Sequence, residues 1–223
     1  MSGAPRQERA ALQDGLMRAA LAFHTRVRAG ATPMPAAQGG RRQPCHPLVT
    51  TEADLQRWFG TALEGAFPTH VVHAEVHAVN SLESGRTLRT DLTLHRSRSA
   101  PFLHDEDLTQ RDVELCLELK VLRVGAADRH WQDEALMSER VDALLHAVGG
   151  DLAKGARGAF DVLGVVFVEP LAYRRSRDEA ERIAGLLAER AAGRGLHLLH
   201  PFRNDETPGC LVYLSRHPFT ETP

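Results

Sequence analysis

Residues 162–168 read VLGVVFV, seven apolar residues with no polar interruption. A run of this length and composition is expected for a central strand covered on both faces. It demands a sheet with helices packed against both sides. Residues 113–122 (VELCLELKVL) form a strand of another kind. Val113, Leu115, Leu117, Leu119 and Val121 share one face, while Glu114, Cys116, Glu118 and Lys120 share the other. One face of this strand belongs to a core, and the other carries charge.

The remaining elements follow from periodicity. A helix is expected over residues 5–29, where Leu12, Leu16, Ala20, Phe23 and Val27 recur at helical steps. Residues 30–48 are rich in Pro and Gly and read as a linker, which divides the chain into 1–48 and a domain over 49–223. A second helix opens at Thr50 or Thr51. Asp54 supplies a capping-box signal, Leu55, Phe59, Ala62 and Leu63 form its stripe, and Pro68 ends it. Residues 71–79 and 86–95 alternate as strands, the second with Leu88, Leu92 and Leu94 opposite Arg89, Asp91 and His95. A helix is expected from about Trp131 to His146, and after Gly149-Gly150 a short turn, Asp151 to Lys154, could continue it. Residues 178–192 read as a helix, and residues 196–200 and 210–214 as closing strands. The order after the linker is α-β-β-β-α-β-α-β-β, which a mixed sheet flanked by helices satisfies.

The chain has 223 residues and a formal net charge of −2, so no overall basic field announces a polyanionic partner. Its 27 basic residues divide into 25 Arg and two Lys, Lys120 and Lys154. Three cysteines, Cys45, Cys116 and Cys210, without a CxxC pair, support neither a disulfide framework nor a thiolate zinc site. No apolar run approaches the ~18 residues of a membrane span, and residues 1–8 lack the apolar core of a signal peptide. A cytoplasmic protein with no membrane partner is expected.

Glu118 and Lys120 stand two residues apart on one strand face, about 7 Å by strand rise. Asp91 lies on the preceding predicted strand, where it could meet Glu118 across one metal ion. Hydrolysis of a phosphodiester needs such an arrangement: carboxylates to hold Mg²⁺ and a cation beside them to stabilise hydroxide or developing charge. A compact Lys ammonium serves one water or oxygen, whereas Arg is a wide fork. In a chain that nearly always writes Arg, Lys120 is therefore notable.

In Thr90-Asp91, Glu118-Leu119-Lys120 and their order on strands two and three, the sequence resembles the PD-(D/E)xK nuclease superfamily, with Thr90 in place of the motif's Pro. The resemblance covers about residues 50–170. It implies an α/β, restriction-endonuclease-like fold with an α-β-β-β-α-β core, to which this chain adds a C-terminal helix and strands and an N-terminal helical arm. It implies a metal-dependent nuclease using Mg²⁺, with Mn²⁺ able to substitute, acting on DNA, with RNA as the alternative. Asp91 and Glu118 would bind metal, Lys120 would position the attacking water, and Gln132 is a candidate polar residue on the following helix. Glu52 is preferred over Glu64 as the helix carboxylate, because it shares the stripe of Leu55, Phe59 and Leu63. Glu75 is an additional candidate metal ligand. Arg89, Arg96 and Arg98 bracket Asp91 and are candidates for phosphate contact.

Other readings stand beside this one. The chain could be a catalytically inactive nuclease-fold scaffold or a nucleic-acid-binding module, or an unrelated α/β protein with a solvated Glu-Lys pair. His73, Glu75 and His77, with His46 or His70, could instead bind zinc. Cys116 reads as a filler rather than a nucleophile. The N-terminal helix could be an arm contacting DNA but is expected to pack on the core or to mediate a homodimer, since its exposed face mixes Arg with Glu and Asp. Given the near-neutral charge, a partner subunit could deliver the substrate.

Overall fold

A computed structural model describes residues 6–30, 49, 51–80, 87–96, 113–122, 134–156, 161–168, 177–199 and 211–219. Four helices and six strands follow in the order α1 (Arg6–Gly30), α2 (Glu52–Ala66), β1 (His70–Asn80), β2 (Thr87–Arg96), β3 (Val113–Leu122), α3 (Glu134–Ala156), β4 (Val162–Val168), α4 (Arg177–Ala192), β5 (His197–Leu199) and β6 (Leu211–Ser215). The strands form one mixed sheet in the order β1-β2-β3-β4-β6-β5. Strands β1, β2 and β3 are an antiparallel meander. Strand β4 runs parallel to β3, so the chain must cross over between them, and α3 makes that crossover.

Alternation in β3 and β4 sorts the sheet into two faces. Leu115, Leu117, Leu119, Leu163, Val165 and Phe167 pack on one side with the apolar stripes of α1 and α2. At its centre the Phe23 ring meets Phe59 and Phe167 edge-on, at 5.8 and 5.4 Å. Leu122, Val166, Val168, Val212 and Leu214 face the other way, against Met137, Val141, Leu145, Val148 and Leu152 of α3 and Ile183 and Leu187 of α4. Strand β4 is thus covered on both faces, as its unbroken apolar run requires.

The start of α2 is fixed locally. Thr51 Oγ1 accepts from the Asp54 amide at 3.1 Å, and Asp54 Oδ2 accepts from the Thr51 amide at 3.0 Å, a complete capping box. The third helix runs past His146. It continues through Gly149-Gly150 to Ala156, so residues 151–154 are its continuation. Val148 and Leu152 extend its stripe and are fully buried, and that burial offsets the roughly 1 kcal/mol each glycine costs in a helix.

Gly164 of β4 sits beneath this helix. A Cβ there would stand 2.6 Å from Val148 Cγ1, so the glycine is what allows α3 to approach the sheet so closely. On the opposite face, α1 lays Leu16, Ala19, Ala20, Phe23 and Val27 into the core. It is tied there by Tyr213 of β6, whose hydroxyl donates to the Leu16 carbonyl at 2.6 Å. No helix among the described residues is long and apolar enough to cross a membrane.

Candidate active site

The charged face of β3 points toward α3. Pairing of Leu92 with Leu117 and Thr93 with Cys116 sets the β2–β3 register. Continued by one residue, that register puts Asp91 opposite Glu118, and partners across an antiparallel pair share a face. Asp91, Glu118 and Lys120 therefore stand on one side of the sheet.

Asp91 is anchored from two elements. Its Oδ2 accepts the Leu119 amide at 2.7 Å, so a side chain supplies an acceptor to a β3 amide just beyond the paired stretch. Gln56 of α2 donates its Nε2 to the Asp91 backbone carbonyl, also at 2.7 Å. One oxygen of the carboxylate is thus committed to the backbone of β3.

Lys120 is the electrostatic centre. Its ammonium lies 3.4 Å from Asp151 Oδ2 on α3 and donates to the Leu119 carbonyl at 3.1 Å. Burial opposes its charge and is the strongest single influence on it. The carboxylates of Glu52, Asp151, Asp91 and Glu118 together outweigh that opposition, and the pKa is raised above the ordinary 10.5. Four acids from α2, β2, β3 and α3 thus converge electrostatically on one lysine.

Among the carboxylates, Glu52 acts most strongly on Lys120, although it is exposed at the start of α2. Glu64, also exposed, is not among the charges that act on this lysine. Glu52 and Gln56 stand one helical turn apart, so α2 turns the same edge toward Lys120 and Asp91.

Two members of this site were not among the sequence candidates. Asp151 stands in the stretch after Gly149-Gly150 that continues α3, where the spacing of Val141, Leu145, Val148 and Leu152 carries the helix through it. Gln56 lies beside Leu55 at the edge of the α2 stripe, where helical spacing from Glu52 was its only signal.

Other candidates fall elsewhere. Gln132 and Arg98 lie outside the described residues, as does His46. Of Glu75, His77, Arg89 and Arg96 only the strand positions are described, and Glu75 falls opposite Asp91 between the pairs Ala74–Leu92 and Val76–Thr90. The zinc alternative loses His70, whose Nε2 is engaged by Glu114 at 2.7 Å and whose Nδ1 meets Thr69 at 3.1 Å. His73 packs edge-on against the buried His95 ring at 5.0 Å. Burial, reinforced by Glu118 and Asp161, pushes the Cys116 thiol up to about 12, which makes it a poor nucleophile.

The donor set suits a hard cation. It offers carboxylate oxygens, with Asp91 and Glu118 adjacent by register. Among the described residues no three His, Cys, Asp or Glu side chains are drawn close enough to form a ready cage. Mg²⁺ does not need one, since it keeps several waters and takes one or two carboxylates.

No protein-family model, curated protein or solved structure matches the chain.

Proposed function

We propose that this chain is a metal-dependent phosphodiesterase of the PD-(D/E)xK type, an endonuclease acting on DNA. The observation that carries the proposal is the register of Asp91 with Glu118 on adjacent strands, with Lys120 on the same face. The element order α2-β1-β2-β3-α3-β4, an antiparallel meander followed by a parallel strand, supports it.

Asp91 and Glu118 would hold Mg²⁺. When bound, the ion supplies Lewis acidity at a phosphoryl oxygen and acidifies a coordinated water. The protein's own groups do the rest. Leu119 and Gln56 keep Asp91 in place, so its position need not be organised when substrate arrives. The surrounding carboxylates keep Lys120 protonated, a compact donor able to orient a water or stabilise charge on a phosphate oxygen. Asp151 holds that ammonium against the α3 side until a phosphate competes for it. Glu52 adds negative charge at the rim, which favours cation entry.

One observation favours a second reading, a binding module that retains the fold without turnover. Lys120 is already committed to Asp151. An assay on supercoiled plasmid with Mg²⁺ or Mn²⁺ separates the two. Nicking by wild type and its loss in both Asp91→Asn and Lys120→Ala is the result expected of the nuclease. Binding without nicking in every metal selects the module, and equal nicking in all three proteins removes the site from the chemistry.

A further inference from the structure

The middle of α3, residues 145–150, carries a second feature that shares no lining residue with the acid-rich cluster. An open depression of about 630 Å³ lies between α3, the turn from α4 into β5, and the segment after β6. His146, Arg194, Arg216 and His217 line it, together with Gly149 and Gly150, and among the described residues no Asp or Glu does. In a chain of net charge −2 with 29 acidic residues, a concave surface whose described lining holds two arginines and two histidines gathers local positive charge, with Asp142 paired to Arg194 at its edge. All four of these polar side chains are exposed.

The local structure keeps competing negative groups occupied. Asp142 of α3 forms an ion pair with Arg194 at 2.8 Å and stands 3.8 Å from Arg190. It thereby braces Arg194 at the rim. The carbonyls that end α4 would otherwise present partial negative charge. Those of Glu189, Ala191 and Ala192 are taken by the amides of Gly193, Arg194, Gly195 and Leu196. Gly195 makes that tight turn possible through a left-handed φ of 66°. Beside His146, Gly149 and Gly150 leave open space where side chains would stand, with nothing within 4 Å of an added Cβ.

We infer that this depression is a phosphate-binding site, its ligand the phosphates of a nucleic-acid backbone or a free phosphate. Arginine forks suit phosphate oxygens, imidazole N–H groups add single donors, and the glycines let a tetrahedral anion approach the helix surface. The site is distinct from the Lys120 cluster, and the inference does not rest on the proposed hydrolysis. Lys120→Ala would leave it intact.

The test uses the full chain. Inorganic phosphate is titrated while the imidazole resonances of His146 and His217 are followed by NMR, with sodium chloride at matched ionic strength as reference. In parallel, binding of a fluorescent 20-base-pair duplex is measured across a salt series for wild type, Arg216→Gln/His146→Gln, and the exposed control Arg57→Gln. The expected result is saturable movement of both rings with phosphate and not with chloride. In the double variant, duplex affinity falls about tenfold and the salt slope by roughly one per lost contact. Ring movement with unchanged duplex binding supports the site with free phosphate as its ligand. A selective loss of duplex binding without ring movement supports it with the polynucleotide. Absence of ring response together with equal duplex binding in wild type and double variant, or equal losses in the double variant and Arg57→Gln, overturns it.

Discussion

Lys120 of β3 and Asp151 of α3 form an ion pair at 3.4 Å across the interface between sheet and helix, both side chains less than one-fifth exposed. The pair joins a cation acted on by four carboxylates to the helix that completes the β3–β4 crossover. Its worth depends on pH in a definite direction.

The folded-state pKa of Lys120 lies above the ordinary 10.5. The stabilisation it confers is therefore complete below about 10.5 and is lost as pH rises through the folded value. Replacing it with Met leaves Asp151 without its ammonium and costs about 1–2 kcal/mol at pH 7, between the worth of an exposed and a buried pair. Urea denaturation of wild type and Lys120→Met at pH 7, 9 and 11.5 checks this. The gap should be equal at the first two and narrower at the third.

On the proposed reading Asp91 has two separable duties, and two variants divide them. Asn keeps an acceptor for the Leu119 amide but removes the charge. Asp91→Asn should stay within about 1 kcal/mol of wild-type stability while nicking falls at least ~100-fold. Asp91→Ala also strands the amide, adding a stability loss of about 1–3 kcal/mol. Thermal melts run beside the plasmid assay separate the two effects.

Gln56 acts through Asp91. Gln56→Ala removes the 2.7 Å bond to the Asp91 carbonyl and should cost about 1 kcal/mol. If its role is positioning, kcat falls several-fold while KM holds. A change confined to KM would assign it to substrate contact instead.

Gly164 pairs with Glu118 across the β3–β4 ladder and lies under Val148. Gly164→Ala should destabilise by about 1–3 kcal/mol through overpacking. It should also displace α3 and so weaken the Lys120–Asp151 pair. A double-mutant cycle with Asp151→Asn measures that coupling, and strict additivity would show that the helix has not moved relative to Lys120.

Cys116 should be inert. In a Cys45→Ser/Cys210→Ser chain it is the sole thiol, and burial first, with Glu118 and Asp161 behind it, holds its pKa at about 12. No reaction with a maleimide is expected at pH 8 under native conditions, and one equivalent is expected in denaturant. Rapid native labelling would place the thiol in an open environment.

The strands were legible because period-two alternation, as in 113–122, and an unbroken apolar run, as in 162–168, are local properties. Residues 113–122 and 162–168 have the same bounds in sequence and structure. The α2 cap was legible for the same reason, being written within four residues. The passage of the third helix through Gly149-Gly150 is not decided locally, because glycine's cost is local whereas the burial of Val148 and Leu152 that overrides it is supplied by the sheet. The place of Asp151 beside Lys120 depends on that passage. Gln56 was lost because a neutral amide in a helix has no chemistry of its own until a strand carbonyl meets it.

The sequence by itself determined which residues alternate, where the buried strand runs, and that Glu118 and Lys120 share a face, since side-chain direction along a strand follows from backbone geometry alone. Only the tertiary structure decided what stands opposite them. The β2–β3 register brought Asp91 beside Glu118, the crossover laid Asp151 against Lys120, and the packing of α2 placed Glu52 and Gln56 at the same edge. Electrostatic neighbourhood depends on distance through space, and residues 52, 91, 118 and 151 become neighbours only when the chain has closed its sheet.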